Sequence, residues 1–440
     1  MIRTCLILSG LLLALATAGA AGETAGPPAP ELGHYLDWAV ANHPALAGER
    51  QRARVMRDDA ERAGSLPELR FAWGEMIVPV ETRVGPQQRI LSLSQSFPWF
   101  GTLGLKEQAA DALADAADEG QRARRLTVER DVRAAWYRLG ALHEELGLAR
   151  ETLRLADAAA QWLRTAYAAG SATYAELLRA EMEQARLALS VADLEDRRIP
   201  LTIALNAAAG LPAATPPPPA ELPAAAPLAA DLPDDDDLRG LFMSHNPELA
   251  ALADRHEGSR LGAEAAARAA RPNFTLGVDY IMTGPARMPD VADSGKDPVI
   301  ARLSVGIPLW GGGSADSRAA AGRVHAAGSE LSDRRLGLAA KLEQALYAWR
   351  DSGRRLELYT GTLLPRADRM VDVATAAYTS DQAAYGDLLA ARRARLGLRG
   401  EEVRVRLDRV LALNELVTLV GVPADTIAAL PAATNPEATP

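Results

Sequence analysis

Residues 128–167 read VERDVRAAWYRLGALHEELGLARETLRLADAAAQWLRTAY, and their spacing decides the fold. Val128, Val132, Ala135, Leu139, Leu142, Leu146, Ala149, Leu153, Ala156, Ala160, Leu163 and Tyr167 succeed one another at alternating steps of four and three. Such a step keeps one apolar seam along one side of a helix, the mark of helices packed as a coiled coil. No proline falls between Pro98 and Pro200 to break that helix. A helix from about Thr102 to Ala168 is roughly 100 Å long at 1.5 Å per residue. No compact globule needs such a rod. Many seam positions are alanine, which lets helices approach closely and suits a thin wall packed on both sides.

The pattern is written twice. Leu338, Leu342, Ala345, Trp349, Leu356, Tyr359 and Leu363 form a second seam. Pro365 interrupts it, and the phase resumes one residue late at Ala367, Val371, Ala374 and Tyr378, so a bend is expected there. Around the two seams other segments recur in the same order. Asn42-His43-Pro44 is answered by His245-Asn246-Pro247. Phe97-Pro98-Trp99-Phe100-Gly101 is answered by Ile307-Pro308-Leu309-Trp310-Gly311. Tyr167, Tyr174 and Leu177-Leu178 are answered by Tyr378, Tyr385 and Leu388-Leu389, and Gly210-Leu211-Pro212 by Gly421-Val422-Pro423. The offsets are 203, 210, 211 and 211 residues. This is an internal duplication, with repeats at 31–212 and 237–423. Shorter helices are expected from about Ala172 to Ala208 and from Ala383 to Val420. Between the repeats lies a Pro/Ala/Asp-rich linker, 213–236. Pro216 to Pro219 favour a stiff extended segment, and Asp234 to Asp237 lead into a helix N-terminus. Residues 424–440 read as a disordered tail.

Ahead of each long helix the apolar period changes from about 3.5 to two. Phe274, Leu276, Val278, Tyr280 and Met282 alternate with Thr275, Gly277, Asp279, Ile281 and Thr283. After a Gly/Pro/Asp-rich loop, Val299, Ala301, Leu303, Val305 and Ile307 alternate with Ile300, Arg302, Ser304 and Gly306. The first repeat is rougher, with Leu69, Phe71 and Trp73 on one strand and Leu91, Leu93 and Phe97 on the other. Hairpins are therefore expected at about 68–98 and 272–309. Strands of about ten residues suffice to cross a bilayer when tilted. The apolar row would then face lipid, the row with Asp279 and Arg302 would face water, and Trp99, Phe100 and Trp310 would sit at the interface. Four strands cannot close a barrel, but three copies supplying twelve can, leaving no open edge. The competing reading is a small sheet packed on the helices of a soluble protein.

The N-terminus carries a short basic start, an apolar run from Leu6 to Ala16, and Ala18-Gly19-Ala20, which together read as a secretory signal peptide over 1–20. The one cysteine, Cys5, lies within it, so no disulfide or thiolate metal site is expected downstream. No later run of apolar residues is long enough for a spanning helix. A net charge of −9 argues against nucleic acid as a partner.

These features together resemble the TolC family of outer-membrane efflux proteins. The residues that carry the likeness are the doubled Asn-Pro and His-Asn-Pro helix starts, the Phe-Pro-Trp-Phe-Gly and Ile-Pro-Leu-Trp-Gly segments, the two tip segments and the closing Gly-x-Pro turns. The resemblance implies a mainly α fold with a small β part, a duplicated helix, β-hairpin, long helix and helix unit. It implies a homotrimer in the Gram-negative outer membrane, with a twelve-stranded transmembrane barrel continued by a periplasmic α-helical barrel. Implied partners are a periplasmic adaptor and an inner-membrane pump of the RND type, which together form a tripartite efflux system, with outer-membrane lipid around the barrel. The family's tip pattern maps onto Tyr167, Gly170, Tyr174 and Glu176 in the first repeat. In the second it maps onto Tyr378, Asp381, Tyr385 and Asp387, with Asp381 where the pattern has a second glycine. Adaptor contact is thereby expected at Tyr167, Gly170, Tyr174, Tyr378, Asp381 and Tyr385, and a gate of carboxylates at Glu176 and Asp387. The Phe-Pro-Trp-Phe-Gly segment also looks like the heavy-metal branch of CusC and CzcC type.

Little in the chain suggests chemistry. His34, His43, His143, His245, His256 and His325 are scattered without ligand spacing. Met282 and Met288 flank a hairpin loop, where they read as ordinary strand-end and loop residues. Gly311-Gly312-Gly313-Ser314 lacks the lysine of a phosphate loop. No catalytic residue, cofactor or resident metal is expected, and an enzyme would be a surprise. The alternative function is a periplasmic coiled-coil adaptor or scaffold without a pore, although adaptors carry one helical hairpin and far more strand.

Overall fold

The computed structural model describes residues 29–225, 232–308, 312–380 and 382–423. The signal peptide and the C-terminal tail expected from the sequence lie outside these residues. The first repeat runs α1 (Leu32–Asn42), α2 (Pro44–Ala63), β1 (Arg70–Thr82), β2 (Gly85–Phe97), α3 (Thr102–Ala168) and α4 (Tyr174–Ala209). The second runs α5 (Asp235–His245), α6 (Pro247–Ala269), β3 (Asn273–Thr283), β4 (Val299–Gly306), α7 (Gly312–Leu358), α8 (Leu364–Thr379) and α9 (Tyr385–Val420). The long helix of the first repeat is the 67-residue rod that the heptad implies.

The helices form a wall of staves. Helix α3 packs against α2 and α4 on one flank and against α6 and α9 on the other, and α7 and α8 follow beyond α9. The short helices stack end to end to match the long ones, and the duplicated motifs are the joints. Helix α4 ends at Gly210, in the left-handed region at φ 71°. Leu211 N–H reaches back to the Asn206 carbonyl at 2.7 Å, which closes the helix. Gly210 lies against the start of α2, where an added Cβ would sit 3.2 Å from His43 Cα. The same joint recurs where α9 ends at Gly421 (φ 79°) against His245, here so tightly that a Cβ would stand 2.4 Å from a backbone oxygen. The helix starts at His43-Pro44 and Asn246-Pro247 therefore meet the Gly-x-Pro motifs, which is why the two recur together.

Each joint has its own core. In the first repeat Tyr35 and Ala39 of α1 pack on Val132, Trp136 and Leu139 of α3 and Leu205 of α4. In the second, Leu238 and Phe242 of α5 pack on Leu342 and Trp349 of α7 and Leu416 of α9. Residues 213–225 of the linker form a strap. It crosses α3 at Gly140, where any Cβ would meet the Glu221 and Leu222 backbone at under 3 Å. His143 Nδ1 lies 3.1 Å from the Ala220 carbonyl, and Arg406 Nη1 donates to the Pro223 carbonyl at 3.1 Å. The acidic run leads into α5 as the sequence suggests, with the Asp234 carboxylate accepting from Asp235 N–H at the helix start.

Near Pro365, where the sequence predicts a bend, the α-helix is interrupted in a specific way. Residues Tyr359–Leu363 make a π turn, in which Leu364 N–H bonds to the Tyr359 carbonyl five residues back. A π turn holds one residue more than an α turn. That extra residue is the one-residue slip in the heptad, and both sides of it keep their seam buried, at Leu356 and at Ala367.

Candidate functional site: the sheet and the helical tip

The four strands form one antiparallel sheet in the order β1-β2-β3-β4, so the two repeats pair through β2 and β3. Register sorts the side chains into two faces. Phe71, Leu93, Val278 and Ala301 lie in one cross-strand row, and Trp73, Leu91, Tyr280 and Val299 in the next row on the same face. The opposite face carries Ser92, Asp279 and Ile300 in one row and Ser94, Gly277 and Arg302 in another. Asp279 is buried among polar partners: Ser92 Oγ donates to it at 2.6 Å, and Arg302 pairs with it across the strands. A sheet packed on helices would bury its apolar face. Here Phe71, Trp73, Leu276, Leu303 and Val305 are all exposed, and Ile77 in β1 is 96% exposed. That last residue sits where β1 bulges, since its register against β2 shifts between Glu75 and Val80.

Where the strands meet the helices, the predicted interfacial aromatics gather. Trp99 stacks on Phe274 at 5.9 Å, Phe100 stands 6.0 Å from Trp99, and the Arg271 guanidinium lies over the Trp99 ring at 5.6 Å. Trp310 falls outside the described residues. No helix among the described residues is long and apolar enough to cross a membrane.

At the other end of the wall the helices turn. Gly170 makes the first turn with φ 74°, a conformation that glycine adopts without strain. Tyr167 and Tyr174 then face each other across it at 5.6 Å, and Tyr378 and Tyr385 do the same at 5.4 Å in the second repeat. Trp162 lies 6.1 Å from Tyr385 and links the two turns, a contact no spacing rule signals. Asp381 lies outside the described residues. Glu176 closes a capping box: its carboxylate accepts from Thr173 N–H at 2.7 Å, while Thr173 Oγ1 accepts from Glu176 N–H at 3.3 Å. The Thr173 N–H, and after it the Thr173 hydroxyl, which also donates to the carboxylate at 2.8 Å, hold the Glu176 carboxyl below the usual carboxylate range. Asp387 makes half of this arrangement, accepting from Ala384 N–H at 3.2 Å, because Ala384 has no side-chain acceptor to return the bond. Both carboxylates are exposed at the tip.

Among the described residues no group of three or more His, Cys, Asp and Glu is placed to hold a metal. No curated relative matches the sequence. Solved structures do match the fold. The outer membrane protein VceC of Vibrio cholerae superposes with a TM-score of 0.70 at 17% identity, over 89% of this chain and 96% of that one. CusC gives 0.71 at 16% identity over 89% and 92%, and the CmeC outer membrane channel of Campylobacter jejuni 0.70 at 14% over 92% and 90%. At these identities the likeness is one of fold. The sequence model of the outer membrane efflux protein family matches residues 36–211 and 238–422, one stretch for each repeat. With most of its length so matched, and with the TolC-like fold, the chain belongs to the outer membrane efflux protein family.

Proposed function

We propose that three copies of this chain form a passive conduit, the outer-membrane member of a tripartite efflux system. The observation that carries this reading is the four-stranded sheet with an exposed apolar face and two free edges. Pairing β1 of one copy with β4 of the next removes those edges and leaves the apolar rows facing lipid. The polar rows, with the Asp279–Arg302 pair, then face an aqueous bore. Energy for transport comes from an inner-membrane pump of the RND type, coupled through an adaptor that docks on the tip at Tyr167, Gly170, Tyr174, Tyr378, Asp381 and Tyr385. The chain performs no chemistry of its own.

Purified in detergent, the protein is expected to migrate as a trimer and to open ion-conducting channels in planar bilayers. A water-soluble monomer without conductance overturns the reading. Glu176 and Asp387 serve in it as rings of charge that narrow the tip and favour cations there. The substitutions Glu176→Gln and Asp387→Asn remove charge while keeping an oxygen acceptor for the cap. They are expected to raise conductance and weaken block by multivalent cations, and unchanged block removes both residues from the gate. The solutes carried are small molecules or heavy-metal cations.

A further inference from the structure

The wall has two faces of different character. One face of α3 is covered by α1 and the strap, which pack on Trp136, Leu139 and Gly140. The opposite face, about half a turn round, is an open, locally concave surface where α4 and α9 flank α3 as neighbouring staves. They enclose a groove of about 700 Å³ lined by Leu142, Leu148, Leu194, Leu201, Leu396 and Leu407, together with four arginines. A second groove of about 640 Å³ continues it along α3, with Arg138 lining both.

The charge of this concave face is one-sided. The carboxylates lining the two grooves are Glu145, Asp131 and Glu415. Each is already engaged, Glu145 by Arg404 and the other two by Arg130. Arg124, Arg138, Arg197 and Arg393 line the same surface and have no ion-pair partner among the described residues. Arg393 also carries a buried Nε without a hydrogen-bond partner. Four unpaired guanidinium groups thus line one partly apolar surface of a chain whose net charge is −9.

We propose that this concave face is the lumenal wall of the conduit and that its grooves are a station for amphipathic organic anions, bound by Arg138, Arg197 and Arg393 against the leucines. The inference rests on the conduit reading above and narrows its solutes to organic anions, in place of the heavy-metal cations also named there. The strap and α1 add a layer to one face of the wall and so form its outer side, which leaves the uncovered, grooved face toward the bore. Guanidinium groups meet a carboxylate or sulfonate with paired donors, and the leucines take the apolar body of the solute. A cavity of this size suits a drug-sized molecule. Three copies set these groups in a ring, where one sign of charge concentrates the opposite ion.

The test uses the full-length trimer in planar bilayers, with 1,5-naphthalenedisulfonate as the probe. The measurements are the reversal potential in a salt gradient and the probe concentration that halves the current. The triple substitution Arg138→Gln, Arg197→Gln and Arg393→Gln is expected to shift selectivity toward cations. It is also expected to raise the half-blocking concentration about tenfold or more. The corresponding lysine substitutions, which keep the charge, retain the selectivity. Arg154→Gln, about 160° round α3 from Arg138, leaves both readings as in the parent. Channels that form normally but show the same selectivity and block with glutamine overturn the anion station alone. Failure of the parent protein to form channels at all overturns the conduit reading itself.

Discussion

The two repeats share a topology but solve the same local problems with different residues. The first has one unbroken long helix, and the second a helix interrupted by the π turn Tyr359–Leu363. The joint of the first is capped by His43, whose Nδ1 accepts from Ala45 N–H at 3.2 Å. That of the second is capped by Asn246, which accepts from Leu249 N–H at 2.9 Å and also donates to the Leu419 carbonyl at 2.7 Å. The tip turn of the first has a complete capping box, and that of the second only half. What duplication has preserved is the placement of staves and joints, and what has drifted is the local device that holds each one.

The sharpest way to break the comparison is to shorten each long helix by one residue. Deleting Ala149 from α3 turns everything toward the tip by about 100°, so the seam below it meets its neighbours with polar side chains. We expect loss of the folded tip and of stable trimer, a penalty above about 5 kcal/mol. Deleting Gly361 together with Pro365→Ala does the reverse. It removes the extra residue, returns the turn to α geometry and leaves both seams in phase, at about 1–2 kcal/mol or less. Circular dichroism and heat-resistant trimer on gels read the difference. Equal damage from both deletions denies that the π turn accounts for the slip.

The joints differ by less. Gly421→Ala puts a methyl group 2.4 Å from the His245 carbonyl oxygen, whereas Gly210→Ala meets its neighbours at 3.2 Å or beyond. Both positions also carry positive φ. Expected losses are about 3 kcal/mol for Gly421→Ala and about 1 kcal/mol for Gly210→Ala, read from thermal or denaturant unfolding in detergent. The caps follow the same order. Asn246→Ala loses two buried hydrogen bonds and about 2 kcal/mol, while His43→Ala, with one longer bond, loses about 1 kcal/mol or less. A reversed order in either pair contradicts the claim that the second joint is the tighter.

How much of this was legible in the residues depends on the range of the interaction. The heptad of α3 and the alternation of β3 and β4 are periodic within one element, and the structure follows them nearly residue for residue. The slip at Pro365 was visible as a phase change, but a phase change names no geometry, and the π turn had to be seen. Long-range contacts left weaker traces. Gly140, beside Leu139 of the seam, marks where the strap crosses, yet a glycine in a helix has many possible causes. The arginine groove draws on α3, α4 and α9, far apart in sequence, and ordinary surface arginines look the same in a string of letters. At the tip the spacing found the tyrosine pairs, because each pair spans one short turn. It did not find Trp162 against Tyr385, which joins one repeat to the other.

The smallest expected effect lies at the tip, where the two caps can be exchanged. Thr173→Ala reduces the first cap to the state of the second and costs about 1 kcal/mol locally. Ala384→Thr completes the second cap with Asp387 and gains about 0.5–1 kcal/mol. Both are read as amide exchange at 174–178 and 385–389, since an exposed turn opens on its own without global unfolding. The pH dependence follows from Glu176, whose folded carboxyl is held below its ordinary value by the Thr173 bonds. A carboxylate shifted this way contributes fully above its unfolded pKa, and the contribution is lost as pH falls through the lowered folded value. Protection of the first tip should therefore weaken in acid, and Glu176→Gln should abolish that dependence while keeping much of the cap. If protection at 174–178 stays flat on acidification in the parent protein, the Glu176 carboxylate is not what holds the turn, and the asymmetry between the two tips must come from the tyrosine pairs.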